Sequence, residues 1–219
     1  MKKLFVVSLM IITATGSPVF ADLVPPWRGE EGSTYQQWDF STNDSTPLPD
    51  VVDNPYGNGP QLRVDTPFDW YQVIDSASGV WPLSGEIDVY IPNRQLPLDQ
   101  KDIWIQLIWK QANLDPDPFL ADEPIVGVTP FDYMTMSRED LRGREDWTHS
   151  QFKIEIHPNP DAEWITIKGD ILVDQLIIET YCIPEPATIA LLGIGGLITL
   201  RRKRSLNGFL VDPVVRKTV

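Results

Sequence analysis

The stretch Gln151-Phe152-Lys153-Ile154-Glu155-Ile156 alternates between polar and apolar residues along its whole length. Because successive side chains of a β-strand point to opposite faces, this pattern places Phe152, Ile154 and Ile156 on one face. Residues 86–91 alternate in the same way. Both stretches therefore predict strands that bury one face and expose the other.

Further strands are predicted on both sides of these two. Residues 103–109 are apolar on both faces except at Gln106, which favours a central strand of a packed sheet. β-Branched and aromatic residues, which strands favour, predict strands at residues 164–167 and 172–178, and shorter candidate strands span residues 37–40, 61–64 and 70–74. Prolines punctuate the intervals, and only residues 137–141, with Ser137 as N-cap, suggest a helical turn.

Many short strands separated by turn residues predict an all-β fold. We expect an antiparallel β-sandwich, and the length of about 160 residues favours a jelly roll. In that topology the first and last strands pair, so Trp38-Asp39-Phe40 would lie beside residues 172–178.

The N-terminus has the order of a secretory signal peptide. Lys2 and Lys3 precede the apolar residues 4–12, and Val19-Phe20-Ala21 supplies small residues at a cleavage position. The alternative to a cleaved signal peptide is a signal anchor, but the apolar region is too short for one. We expect cleavage after Ala21, so residues 1–21 form the signal peptide.

The C-terminus carries a second targeting pattern. Pro184-Glu185-Pro186 precedes the uncharged residues 187–200, which end at four consecutive cations, Arg201, Arg202, Lys203 and Arg204. Such cations resist crossing a bilayer and stop transfer. An apolar run of this length is also typical of a buried core segment, but the basic cluster and three glycines favour a transmembrane helix.

This three-part pattern resembles the PEP-CTERM sorting signal of exported bacterial proteins. The resemblance covers residues 184–204, together with the leader. It implies that an exosortase, a membrane transpeptidase, recognises Pro184, Glu185 and Pro186 after export through the secretion translocon. It also implies a transient stay in the inner membrane and then a place at the cell surface or in the extracellular matrix. Residues 205–219, a basic-leaning cytoplasmic tail, depart from the usual pattern, which ends soon after the cations.

Residues 22–183 remain as the exported domain, and they are strongly acidic. Two of the 31 acidic residues and eight of the 18 basic residues lie outside this range, which leaves 29 against 10 and a net charge of −19. Such a domain repels phosphate backbones, so nucleic acid is not expected as a partner. Cys182 is the one cysteine, so no intramolecular disulfide can form. It could still pair between chains or accept a lipid, although we expect it to be incidental.

Aromatic residues offer a candidate sugar platform. Tryptophan rings can stack on sugars, but they also fill sandwich cores. Trp109 shares a face with apolar residues and is expected in the core, whereas Trp104 lies on the opposite face. The candidate platform residues are Trp70, Tyr71, Trp81, Trp104 and Trp147.

An oxygen-rich loop is a candidate calcium site. Asp115, Asp117, Asp122 and Glu123 supply carboxylates of the kind that calcium prefers. The spacing matches no EF-hand, and a solvated acidic loop is the simpler interpretation. No other cofactor is expected.

Catalytic signatures are lacking in the sequence. No nucleophile elbow or zinc-binding histidine motif occurs, and pairs such as Glu86 with Asp88 or Glu155 with Glu163 arise by chance among so many acids. We therefore expect a non-enzymatic domain with a structural or interaction role. The alternative is a carbohydrate-binding module for exopolysaccharide, and a secreted polysaccharide hydrolase or lyase comes third.

Overall fold

A computed structural model describes residues 23–95, 98–112, 121–142 and 146–183. This part of the chain contains ten strands and no helix, and all the strand pairs are antiparallel. In chain order they are β1 (Ser33–Trp38), β2 (Val51–Asp53), β3 (Gln61–Asp65), β4 (Tyr71–Ile74), β5 (Ala77–Pro92), β6 (Gln100–Gln111), β7 (Ile125–Thr129), β8 (Tyr133–Arg142), β9 (Thr148–His157) and β10 (Ala162–Ile183).

The last strand, β10, organises the fold because its two halves have different neighbours. Residues 162–173 pair with β5, and residues 164–168 also pair with β7. Residues 171–183 pair with β6, and residues 176–181 also pair with β1 on the other edge. An irregularity in the pairing with β6 occurs between Val173 and Gln175, and a bulge of this kind bends a strand.

The other strands extend these two halves. β3 and β4 pair with β5. In the other half the order is β2-β1-β10-β6-β9-β8. One buried apolar cluster contains residues from both halves, among them Ile87, Ile165, Ile105 and Ile178, which are fully buried. The two halves thus close over a common core.

The alternation pattern predicted these elements well. Phe152, Ile154 and Ile156 are buried in β9, and β6 lies between β9 and β10 as a central strand. Trp38 pairs with Leu176, which confirms the expected contact of the first and last strands. The all-β, antiparallel class is confirmed, whereas the sandwich and jelly-roll topology stays a prediction.

Two local predictions were wrong. The segments 164–167 and 172–178 are one continuous strand, because Gly169 and Asp170 continue the pairing with Gly85 and Ser84. Residues 137–141 form part of β8 and not a helical turn, because their backbone pairs with residues 149–153 of β9. Within the described ranges the chain has no helix that is long and apolar enough to cross a membrane. The predicted helix at 187–200 lies outside those ranges.

Candidate functional site

The C-terminal end of β10 leads straight to the sorting pattern. Tyr181 pairs with Ser33 of β1, and Ile183 pairs with Gln100 of β6. Ile183 is also the last residue before Pro184, so strand pairing continues to the edge of the motif. The predicted motif residues Pro184, Glu185 and Pro186 and the cations Arg201, Arg202, Lys203 and Arg204 lie outside the described residues, as do residues 1–21 and 205–219.

The candidate platform residues do not form one surface. Trp81 belongs to the main core, and Trp147 lies in a second buried cluster with Val80 and Leu172. Neither ring faces solvent, which corrects the prediction for these two residues. Trp81 is itself part of β5 and pairs with Val173 of β10, and the cluster around Trp147 draws residues from β5, β6 and β10.

Trp104 lies on the outer face of β6, as expected, but other residues cover it. The ring of Trp27 meets it edge-on at 5.0 Å, and Lys153 Nζ lies 4.5 Å from the ring centre. The segment that follows the predicted leader holds this cover in place, since the backbone of Leu23 donates to and accepts from the Gln106 side chain at 2.9 and 3.0 Å. Trp104 is therefore partly buried.

Trp70 borders a polar cleft of about 440 Å³. Its Nε1 donates to the Phe40 carbonyl at 2.9 Å, which fixes the ring. Gln175 Nε2 donates to Asp39 Oδ1 at 2.6 Å in the same cleft. Tyr71 is exposed next to Trp70. This cleft offers amide and carboxylate groups but only one aromatic wall.

The outer face of β3, β5, β10 and β7 carries the most exposed tryptophan among the described residues. Trp164 is 51% exposed, and its ring centre lies 5.0 Å from that of Tyr90 on β5. Strand register places Gln61, Tyr90, Trp164 and Thr129 in one row across four strands. We call this surface the Trp164 face.

A groove of about 370 Å³ runs from Trp164 to the loop at Leu48. Polar side chains line it beside the apolar ones, including Gln61, Arg63 and Asp88. Arg63 binds Asp65 at 2.6 Å, and Asp88 accepts a hydrogen bond from Thr166. An exposed ring with neighbouring carboxylate, amide and guanidinium groups has the chemistry that sugar recognition needs.

The alternation of β10 contained the signal for Trp164. Glu163, Ile165 and Ile167 are buried, so Trp164 between them must point outward. Trp164 is one of eight tryptophans of the exported domain that could stack on a sugar, but it was not among the five candidate platform residues.

The structure describes only two of the four residues of the candidate calcium site. Asp115 and Asp117 lie outside the described residues. Asp122 is exposed, and Glu123 binds Arg138 at 2.8 Å. The described part of the chain holds no group of three or more metal-ligating side chains, so calcium binding stays a prediction.

The acidic pairs considered for hydrolysis have other partners. Glu86 binds Lys168 at 2.8 Å, and Glu155 binds His157 at the same distance. Glu163 is fully buried beside Lys101, and burial raises the pKa of its carboxyl group. A buried carboxyl group of this kind does not face a polymer substrate.

Comparison with protein families finds the PEP-CTERM protein-sorting motif at residues 183–204. The chain therefore carries a PEP-CTERM signal, which implies export and processing by an exosortase at the membrane. The match begins at Ile183, the last residue of β10. A comparison with curated proteins finds no match.

Proposed function

We propose that this chain is an exported envelope or extracellular-matrix protein whose residues 22–183 form a non-enzymatic β-sandwich with a structural or interaction role. The observation that carries this proposal is the continuity of β10 with the sorting motif, since Ile183 belongs to both. The translocon exports the domain, and residues 187–200 hold it in the inner membrane. Exosortase then processes the chain near Pro184-Glu185-Pro186.

Substitution of Glu185 tests the sorting step. In a host with the matching exosortase, Glu185→Ala should leave the full-size chain in the inner membrane, because the recognition element has lost its carboxylate. Glu139→Ala removes an exposed carboxylate of β8 and is the matched control. Membrane fractionation with immunoblotting measures both. A Glu185→Ala chain that reaches the surface at the processed size would overturn the proposal.

Binding of extracellular polysaccharide is the second candidate function. The Trp164 face favours it, because an exposed ring with polar neighbours at a groove suits stacking on a sugar ring. This face lies on β10 upstream of the bend, so processing at the far end of the strand would leave it free.

A glycan array with the full chain in detergent tests this second candidate. Removal of a central aromatic anchor costs about 2 kcal/mol, or roughly thirtyfold in Kd. We expect Trp164→Ala to lose that much affinity for the glycan that binds, whereas Tyr71→Ala, an exposed aromatic elsewhere, should keep it. Equal affinity of Trp164→Ala and the unmodified chain would rule out this face.

A further inference from the structure

A buried polar triad lies between the two halves of the fold. It consists of Asn93, which directly follows β5, Lys101 in β6 and Glu163 in β10. The side chains of Lys101 and Glu163 have no solvent exposure, and Asn93 is 3% exposed. Register places Ile91 opposite Glu163, and Ile156 and Cys182 opposite Lys101, and all three are buried.

Within the triad, the side-chain amine of Lys101 contacts the side-chain amide of Asn93. Lys101 Nζ lies 2.9 and 3.0 Å from the two carboxyl oxygens of Glu163 and also contacts Asn93 Oδ1. Asn93 Nδ2 donates to Glu163 Oε2 at 2.5 Å and to the Pro160 carbonyl at 2.8 Å. The Asn93 backbone N–H donates to Asp161 at 3.0 Å. The side-chain amide is thus fixed between the lysine amine and the glutamate.

The apolar surroundings make a buried pair of charges costly. Removing a charge pair from water costs several kcal/mol per ion. Burial raises the pKa of the Glu163 carboxyl group. Transfer of one proton from the Lys101 ammonium to Glu163 removes both charges and produces a neutral amine, which is a nucleophile.

We propose that Lys101 Nζ forms an amide bond to Cγ of Asn93, with Glu163 as the catalytic residue that transfers the proton. The neutral amine attacks Cγ, and the protonated Glu163 gives its proton to Nδ2. The Cγ–Nδ2 bond breaks and one ammonia leaves, while the resulting Glu163 carboxylate takes one proton from Nζ and is protonated again. No oxidant, metal or cofactor takes part, and the new bond links two side chains of the same chain.

This bond would join the two halves of the fold. β5 pairs with the first half of β10 and β6 with the second half, so an amide from Asn93 to Lys101 ties both halves together at one end. That end is next to the exit of the chain, because Lys101 lies opposite Cys182. The domain has one cysteine and forms no internal disulfide, so an amide would supply its covalent cross-link.

Peptide mapping of the full chain by mass spectrometry tests the proposal without any variant. Trypsin cleaves after Arg63, Arg94 and Lys110 and, when its side chain is free, after Lys101. The cross-link blocks cleavage after Lys101. We expect a branched product of peptides 64–94 and 95–110 whose mass is lower than their sum by one ammonia. Recovery of free peptides 64–94, 95–101 and 102–110 would show an ion pair only and would overturn the proposal.

Variants then separate the roles of the three residues. Lys101→Arg keeps a cation but has no nucleophilic amine, so it should give no branched product. Glu163→Ala should lose the product as well, because a positioned proton-transfer group contributes roughly 10²–10⁴-fold in rate. Persistence of the branched product in Glu163→Ala would refute the assigned role of Glu163.

Asn93→Asp is the most specific variant. Water leaves in place of ammonia, so its branched product should have the same mass as that of the unmodified chain. Asn93→Ala has no amide carbon and should give none. The pair Lys168 and Glu86, 2.8 Å apart on the exposed face, is the matched control, and peptides that contain it should have unchanged masses. A branched product in Asn93→Ala would overturn the assignment of the bond.

Discussion

At Gly79 the backbone of β5 approaches another segment more closely than any side chain would allow. A Cβ atom at this position would lie 2.5 and 2.6 Å from the carbonyl oxygens of Phe40 and Asp39. Gly79 also has a φ of +81°, which residues other than glycine rarely adopt. Phe40 itself has a φ of +49°, so both sides of this contact at the Trp70 cleft need an unusual backbone conformation.

We predict that Gly79→Ala lowers the free energy of unfolding by about 1–3 kcal/mol, the usual cost of a strained backbone position. Gly127→Ala is the matched control, since nothing lies within 4 Å of its Cβ position. That variant should have unchanged or slightly higher stability, because alanine lowers the entropy of the unfolded chain. Urea denaturation measures both, and equal stability of the two variants would contradict the prediction.

His157 makes the stability of the domain depend on pH. Its Nε2 lies 2.8 Å from Glu155 Oε1, and its Nδ1 lies 2.8 Å from the Asp99 carbonyl oxygen. Two hydrogen bonds raise the pKa of His157 above its usual 6.5, and the bond to Glu155 has a larger effect than the bond to the Asp99 carbonyl. Since the folded pKa exceeds the unfolded value, the stabilisation is full below about pH 6.5 and is lost as the pH rises through the folded pKa.

We therefore expect His157→Gln to cost stability at about pH 5.5 and to have little effect at about pH 8.5. Glu155→Gln keeps a hydrogen-bond acceptor but removes the charge, so it should abolish most of this pH dependence. Denaturant midpoints of the three proteins across this pH range measure the effect. A loss of stability in His157→Gln that grows with increasing pH would contradict the predicted direction of the pH dependence.

At the scale of elements, β10 is the strand on which the two halves depend. Ile171 lies at the crossing point, because it pairs with Leu83 of β5 and with Gln111 of β6. It is fully buried. A cavity at this position removes contacts from both halves at once.

We predict that Ile171→Ala costs about 2–5 kcal/mol, as is typical of a large-to-small change in a core. Ile125→Ala on β7 should cost less than about 1 kcal/mol, because Ile125 is 56% exposed and mainly its strand propensity is lost. Both variants are compared by urea denaturation. A similar loss in the free energy of unfolding at the two positions would contradict the prediction that the crossing point is the more sensitive one.

At the scale of the whole molecule, the single thiol does not stabilise the domain through an internal disulfide. Cys182 is 2% exposed, and its Sγ donates to Asn159 Oδ1 at 3.4 Å. Burial raises the pKa of the thiol, which suppresses the reactive thiolate. Cys182 pairs with Lys101 of β6 and is buried.

We expect a reducing agent to leave the melting temperature unchanged and the chain to run as a monomer on a non-reducing gel. A maleimide should label Cys182 readily only after denaturation, and the labelling rates of native and unfolded protein measure this. Rapid labelling of the native protein, or a dimer that a reductant dissolves, would contradict the prediction.

The targeting pattern and the local strand pattern could be predicted from the sequence. Pro184-Glu185-Pro186 and the basic cluster are contiguous, so recognition needs no folding, and the family comparison found the same motif. Alternation in residues 151–156 fixed which side chains are buried, because it depends only on strand geometry. The helical turn that was predicted at residues 137–141 is wrong, because pairing with β9 outweighed their local helical preference.

Contacts between residues from distant parts of the chain become visible only in the folded domain. Trp81 and Trp147 lie in buried clusters with residues far from them in sequence, which their local sequence does not show, whereas alternation along β10 already places Trp164 outward. The triad of Asn93, Lys101 and Glu163 assembles from the end of β5 and from β6 and β10, whose order and register are set by long-range pairing. The sorting signal of this protein can be read from the sequence, because a short contiguous segment encodes it. The tertiary structure decided its candidate chemistry, because that chemistry depends on contacts between residues far apart in the chain.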